Sequence, residues 1–114
     1  MNQAPKTWRL ALYACMLAVL VLSLVPPGPA LPTTGWDKTN HLLAFGVLAL
    51  LGCRGYPRNV AMLLVCLLAF GALIEVLQSL TPYRFAEWGD LLADALGLVL
   101  GWAAGLLLRK GQRE

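Results

Sequence analysis

Residues 88–108 have the sequence WGDLLADALGLVLGWAAGLLL, and this stretch decides the fold. Apart from two aspartates near its beginning, it carries no charged side chain, and it is long enough to cross the hydrocarbon core of a bilayer as a helix. Glycine recurs at every fourth position of its second half, at Gly97, Gly101 and Gly105. Such small-xxx-small spacing lets neighbouring helices approach closely. We therefore expect a transmembrane helix that packs on other helices through its glycine face.

Three further apolar stretches precede this one, at about residues 9–25, 38–53 and 60–80. They are runs of Leu, Val, Ala and Gly without two-residue alternation, which favours helices over the strands of a membrane barrel. Pro- and Gly-containing segments separate them. The sequence therefore predicts an all-α, polytopic membrane protein with four transmembrane helices in a single small bundle, forming one domain over residues 1–114. The stretch at 38–53 is the shortest of the four.

The composition excludes other classes of protein. The chain has 114 residues, of which 59% are hydrophobic and 13% are charged, whereas an ordinary soluble domain has about 45–50% and about 25%. So few charges cannot cover the surface of a small soluble domain, and so apolar a chain is not disordered. The net charge of +3 comes from scattered short groups and not from a continuous stripe, so no nucleic-acid partner is expected. The three cysteines lack CxxC spacing and are expected to be reduced packing residues.

The distribution of lysine and arginine predicts the orientation in the membrane. Basic residues cluster before the first helix, between the second and third, and after the fourth: Lys6, Arg9, Arg54, Arg58, Arg109, Lys110 and Arg113. Because cytoplasmic segments carry an excess of basic residues, both termini and the second loop are expected in the cytoplasm. The first and third loops are then outside.

Eight polar residues fall at the outer end of all this apolar sequence: Asp37, Lys38, His41, Glu75, Gln78, Arg84, Asp90 and Asp94. Helical spacing puts Gly71, Glu75 and Gln78 on one face of the third helix, and it puts both aspartates of the fourth helix on its glycine face. An ionised carboxylate at mid-membrane costs about 2.5–3.5 kcal/mol on insertion scales, so such residues are functional candidates by default.

We predict His41, Glu75 and Asp90 as candidate catalytic residues, with His41 as general acid or base and either carboxylate orienting it. The predicted ligand-binding residues are Asp37, Lys38, Gln78, Arg84 and Asp94. The three glycines at 97, 101 and 105 are predicted to serve helix packing. An alternative remains for each charge: aspartates can cap helices, lysine can extend to the interface, and arginine can neutralise an acid within the structure.

The same residues resemble a family pattern. Asp37-Lys38 with His41 and Phe45, then Glu75-Val76-Leu77-Gln78, then Pro82-Tyr83-Arg84, then Asp90 to Gly97 with Gly101, match in order the motifs of the VanZ-like family. The resemblance extends over about residues 37–105, and it implies a small multi-pass protein of the bacterial inner membrane. Asp94 stands where many members have Asn. Founding members accompany resistance to teicoplanin, a role for which this chain has no marker.

Three functions fit the sequence. In the first, the eight polar residues at the outer end would bind an anionic amphiphile, such as a phosphorylated lipid or glycolipid intermediate of envelope synthesis, because charge-assisted bonds to phosphate are strong. Alternatively, His41 with Glu75 or Asp90 would serve a membrane-embedded hydrolase or transferase, or the cluster would be structural. One histidine and three acids could bind a cation, but no fixed metal-ligand spacing is present, and neither a metal nor a cofactor is predicted. The oligomeric state does not follow from the sequence.

Overall fold

The computed structural model describes residues 5–24, 37–80 and 88–113, and for residues 37–39, 88 and 109–113 it describes the backbone alone. Within these ranges the chain forms four helices: α1 (Pro5–Leu24), α2 (Asp37–Gly55), α3 (Val60–Ser79) and α4 (Trp88–Arg113). They form a small bundle, as the sequence predicted. α1, α3 and α4 are long and apolar enough to cross a membrane, whereas the apolar part of α2, Asn40–Gly55, is shorter.

Two helix ends differ clearly from the expected ones. α1 begins at Pro5 rather than near residue 9, and proline is favoured at the first position of a helix because its missing N–H has no partner there in any case. α4 continues past the apolar run to Arg113. Arginine and lysine are good helix formers, so the helix continues through the basic residues that follow the apolar run. The end of the apolar run therefore indicates where α4 leaves the lipid and not where the helix ends.

Most of the apolar surface of the helices faces outward. In the apolar stretches of α1, α3 and α4 that could cross a membrane, at most 28% of the residues are buried inside the bundle. Large side chains such as Leu43, Val76 and Leu92 are more than half exposed. Since water would disfavour such a surface, the bundle is suited to a lipid surrounding.

A narrow core runs between the helices. Its largest fully buried apolar side chains come from the three helices α1, α2 and α3, and they are Leu12, Phe45, Leu48, Leu67 and Ile74. Leu98 of α4 adds to this cluster. α2 and α4 make the most extensive contact of any described pair of helices.

Glycines on α4 allow this close approach. A Cβ atom added at Gly97 would meet the carbonyl oxygen of Leu42, and one added at Gly101 would meet that of Gly46. Both contacts are with the backbone of α2, which cannot move aside easily. A Cβ at Gly105 would lie 3.5 Å from Leu50 Cδ1, an ordinary contact. The first two glycines of the stripe thus bring α4 directly onto α2, and this pairing sets the depth of the residues before them.

α1 is attached near both of its ends. Close to its N-terminus, Arg9 Nε donates a 2.7 Å hydrogen bond to the carbonyl oxygen of Gly55, and the guanidinium lies over the Tyr56 ring. Tyr13 and Tyr56 share a hydroxyl–hydroxyl hydrogen bond. Close to its C-terminus, the carbonyl oxygen of Ser23 accepts a 2.9 Å hydrogen bond from Gln78 Nε2 of α3. These contacts hold a helix that buries little apolar surface.

Candidate functional site

Polar side chains from three helices converge at the end of the bundle where α2 and α4 begin and α3 ends. His41 lies in the second turn of α2, Glu75 in the last turns of α3, and Asp90 and Asp94 in the first turns of α4. We call these four residues the polar cluster. Helical rise places Glu75 about 6 Å, and Asp94 about 9 Å, from the nearer end of its own helix. The cluster is thus set back from that end of the bundle.

The central contact joins His41 to Asp94. His41 Nδ1 lies 2.7 Å from Asp94 Oδ1, a short hydrogen bond between α2 and α4. The Asp94 side chain is fully buried, whereas the His41 side chain is 11% exposed. Asp94 therefore lies behind the ring, and His41 is the member of this pair that a ligand could reach.

Glycine and phenylalanine surround this pair. A Cβ atom added at Gly71 of α3 would lie 2.5 Å from Asp94 Oδ2 and 3.2 Å from Phe45 Cε2, so the missing side chain makes the space that the carboxylate occupies. Phe45 is fully buried, and its ring is nearly parallel to that of His41, with centroids 6.5 Å apart. The imidazole is thus held from one side by a carboxylate and supported by an aromatic ring.

Glu75 and Asp90 complete the cluster. They are 8% and 5% exposed, and one carboxylate oxygen of each lies within 4.8 Å of the other and of a ring nitrogen of His41. The three residues predicted as catalytic are therefore neighbours in space, although they come from three helices. They form a set of oxygen and nitrogen atoms able to bind a cation or to exchange protons with a substrate.

The predicted ligand-binding residues are placed less uniformly. Asp94 is inside the cluster as the partner of His41, the position for which the sequence suggested Glu75 or Asp90. Gln78 is buried and uses its amide nitrogen to hold α1. Asp37 and Lys38 begin α2, but their side chains, like all of Arg84, lie outside the described residues.

Sequence reasoning missed two contributors. It placed Gly71 on the face of Glu75 without a role, because spacing within α3 does not reveal that the Asp94 carboxylate comes from α4 to fill the space. It also gave no part to Ser23, whose carbonyl oxygen is a backbone acceptor without a side-chain signal. A glycine one helical turn before a carboxylate in an apolar helix is the one clue that the sequence offers.

Comparison with known proteins agrees with the motifs. A family model described as VanZ/LLP1 matches residues 5–109, which is nearly the whole chain and includes all four helices. No curated protein and no solved structure matches the chain.

Proposed function

The chain belongs to the VanZ/LLP1 family of membrane proteins, and we propose that it binds the polar headgroup of an anionic lipid or envelope precursor in the bacterial inner membrane. The observation that carries this proposal is the burial of His41, Glu75, Asp90 and Asp94 together at one end of a bundle whose outer surface is apolar. An amphiphile has the matching distribution, since its headgroup is polar and its tail can lie along the exposed apolar faces of the helices.

The accessible side of His41 gives the headgroup its point of contact. The imidazole edge away from Asp94 can bond to a sugar or phosphate oxygen, while Glu75 and Asp90 accept hydrogen bonds from hydroxyl groups. Lys38 precedes His41 by three residues in α2, a spacing that places both on one helix face. With Arg84, this lysine supplies the positive charge that an anionic headgroup needs.

We propose the orientation predicted from the basic residues, with both termini in the cytoplasm and the polar cluster facing outward. Arg9 and Arg54 support it, since both lie at the end of the bundle opposite the cluster. There Arg9 bonds to Gly55, and Arg54 lies over the ring of Trp8. In that orientation the cluster meets lipids of the outer leaflet, where intermediates of envelope synthesis are consumed.

Native mass spectrometry of the full chain, released from membranes of a bacterial host in mild detergent, tests the binding. We expect a phosphorylated lipid to remain bound to the wild-type protein and to be lost from Lys38→Ala and Arg84→Ala. Arg58→Ala is the matched control, because Arg58 is exposed in the turn before α3. A wild-type protein without bound lipid, or equal retention in the Arg58 and Arg84 variants, would contradict the proposal.

A second candidate, a hydrolase or transferase acting on such a lipid, is favoured by the His41–Asp94 hydrogen bond. With Nδ1–H donated to Asp94, Nε2 of His41 would accept a proton from an attacking water or hydroxyl group. The same spectra distinguish the two functions. A lipid-processing enzyme with His41→Gln should accumulate unprocessed lipid, whose mass differs from that of the wild-type adduct by the group removed or added, whereas in a binding protein the adduct keeps its mass.

A further inference from the structure

The geometry points to a divalent metal-ion site: we propose that His41, Glu75 and Asp90 coordinate the ion and that Asp94 positions the His41 ring. The site concerns the chemistry of the cluster itself, and it stands whether or not a lipid headgroup is the ligand. It also goes beyond the sequence, which lacks any metal-ligand spacing and predicted no metal.

The donor atoms are already close. One ring nitrogen of His41 and one carboxylate oxygen each of Glu75 and Asp90 all lie within 4.8 Å of one another. Ligands around a tetrahedral ion are about 3.4 Å apart when each metal–ligand bond is about 2.1 Å. Rotation of these three side chains, all of which point into the same small space, would bring the donors into one coordination shell.

The contact behind His41 is a second and independent observation. Metal-bound histidines usually donate their other ring N–H to a carboxylate, which fixes the tautomer and the ring orientation. The Nδ1···Oδ1 distance of 2.7 Å, with the Asp94 side chain fully buried, has this form. If Nδ1 holds the proton shared with Asp94, Nε2 keeps a lone pair for the ion.

The donor set also indicates the class of ion. One imidazole and two carboxylates suit Zn²⁺ or Mn²⁺ better than soft ions, which prefer thiolates. Three protein ligands leave positions open for water or for an oxygen of a bound molecule, as in catalytic metal sites. An ion at this place would attract phosphate oxygens to a cluster that otherwise contains three carboxyl groups.

The test uses Mn²⁺ alone, added to the full chain in lipid nanodiscs after treatment with a chelator and followed by electron paramagnetic resonance. Because manganese binds thiolates poorly, the three native cysteines do not compete. We expect one tightly bound ion per chain, spin-echo modulation from a directly bound ¹⁴N, and release of Mn²⁺ by added Zn²⁺.

Substitution of each proposed ligand should lower the affinity for Mn²⁺ at least tenfold; the variants are His41→Gln, Glu75→Gln and Asp90→Asn. His41→Gln should also remove the nitrogen modulation. Asp94→Asn should keep this modulation while weakening binding by about 10–100-fold, the usual effect of changing a group that orients a ligand. A role of Asp94 in folding alone would leave the affinity for Mn²⁺ unchanged.

Two control variants separate coordination from general damage to the bundle. Val76→Ala changes the residue next to Glu75; the Val76 side chain faces outward and is 57% exposed. Leu67→Ala removes a buried apolar side chain from the same helix, about 12 Å along α3 from Glu75. Both should bind Mn²⁺ like the wild type. The proposal is wrong if the wild-type chain binds no Mn²⁺, or if Glu75→Gln and Asp90→Asn bind it as tightly as Val76→Ala.

Discussion

Asp94 of α4 and His41 of α2 are 53 residues apart in the chain, yet their side chains meet at 2.7 Å through Oδ1 and Nδ1. The bond crosses the most extensive helix contact of the described bundle. The bond links the geometry of the polar cluster to the packing of the helices, because the α2–α4 pairing that buries Asp94 also determines where His41 points.

Asp94→Asn should leave the bundle as stable as the wild type, whereas Asp94→Ala should lower its stability. Asparagine keeps the size of the side chain and an oxygen that can accept from His41 Nδ1–H. Alanine removes the acceptor from a fully buried position, and a buried polar group left without its partner costs about 1–3 kcal/mol. Unfolding in mixed micelles with increasing sodium dodecyl sulfate measures both changes. Equal losses in the two variants would contradict this account of the bond.

Gly71→Ala should destabilise the protein and disturb the cluster. The added methyl group would lie 2.5 Å from Asp94 Oδ2 and 3.2 Å from Phe45 Cε2, so the carboxylate or the ring must move. Overpacking of this kind costs about 1–3 kcal/mol. Gly105→Ala is the control, since its methyl group would make only an ordinary 3.5 Å contact with Leu50. The same micelle titration compares them, and similar stabilities would show that the space at Gly71 is not required.

Gly101→Ala should separate α2 from α4. Its Cβ would collide with the carbonyl oxygen of Gly46 and lie 2.8 Å from the Cβ of Ala49. Neither atom belongs to a flexible side chain, so a helix must shift, at a cost of about 1–3 kcal/mol or more. Cross-linking between cysteines introduced on the two helices should become slower in this variant and stay unchanged in Gly105→Ala. Unchanged cross-linking in both would mean that the close approach is dispensable.

Gln78→Leu should loosen α1 at one end. The leucine cannot donate to the carbonyl oxygen of Ser23, and one hydrogen bond is worth about 0.5–1.5 kcal/mol. Limited proteolysis after α1 should become faster. Val76→Ala serves as comparison, because Val76 lies on the outward face of the same helix. If both variants are cleaved at the wild-type rate, the bond does not hold α1.

The predicted orientation can be tested with single cysteines. Thr34→Cys, in the first loop, should react with a membrane-impermeant maleimide on intact spheroplasts. Asn59→Cys, at the exposed start of α3, should react only after permeabilisation. The wild-type chain measures the background from its native cysteines, which lie in α1, α2 and α3. The opposite pattern of labelling would reverse the topology.

Much of this protein follows from local features of the chain. The apolar runs predicted the four helices, because each run must satisfy its backbone hydrogen bonds within itself when it lies in lipid. Because charge is rare in the chain, the sequence predicted a group of polar residues at one end of the bundle: Asp37, Lys38, His41, Glu75, Gln78, Arg84, Asp90 and Asp94. Their helical positions indicated a common end of the bundle once the helices alternate in direction.

What the sequence could not show is which of these residues meet. Spacing within one helix shows which residues share a face of that helix. Which residues of another helix they contact depends on the position and rotation of α4 relative to α2. That depends on packing at Gly97 and Gly101, where backbone meets backbone. The sequence by itself therefore determined the membrane bundle and the end of it where polar residues gather. The tertiary structure alone decided that Asp94, behind Gly71, holds His41, because only packed helices bring distant side chains within hydrogen-bonding distance.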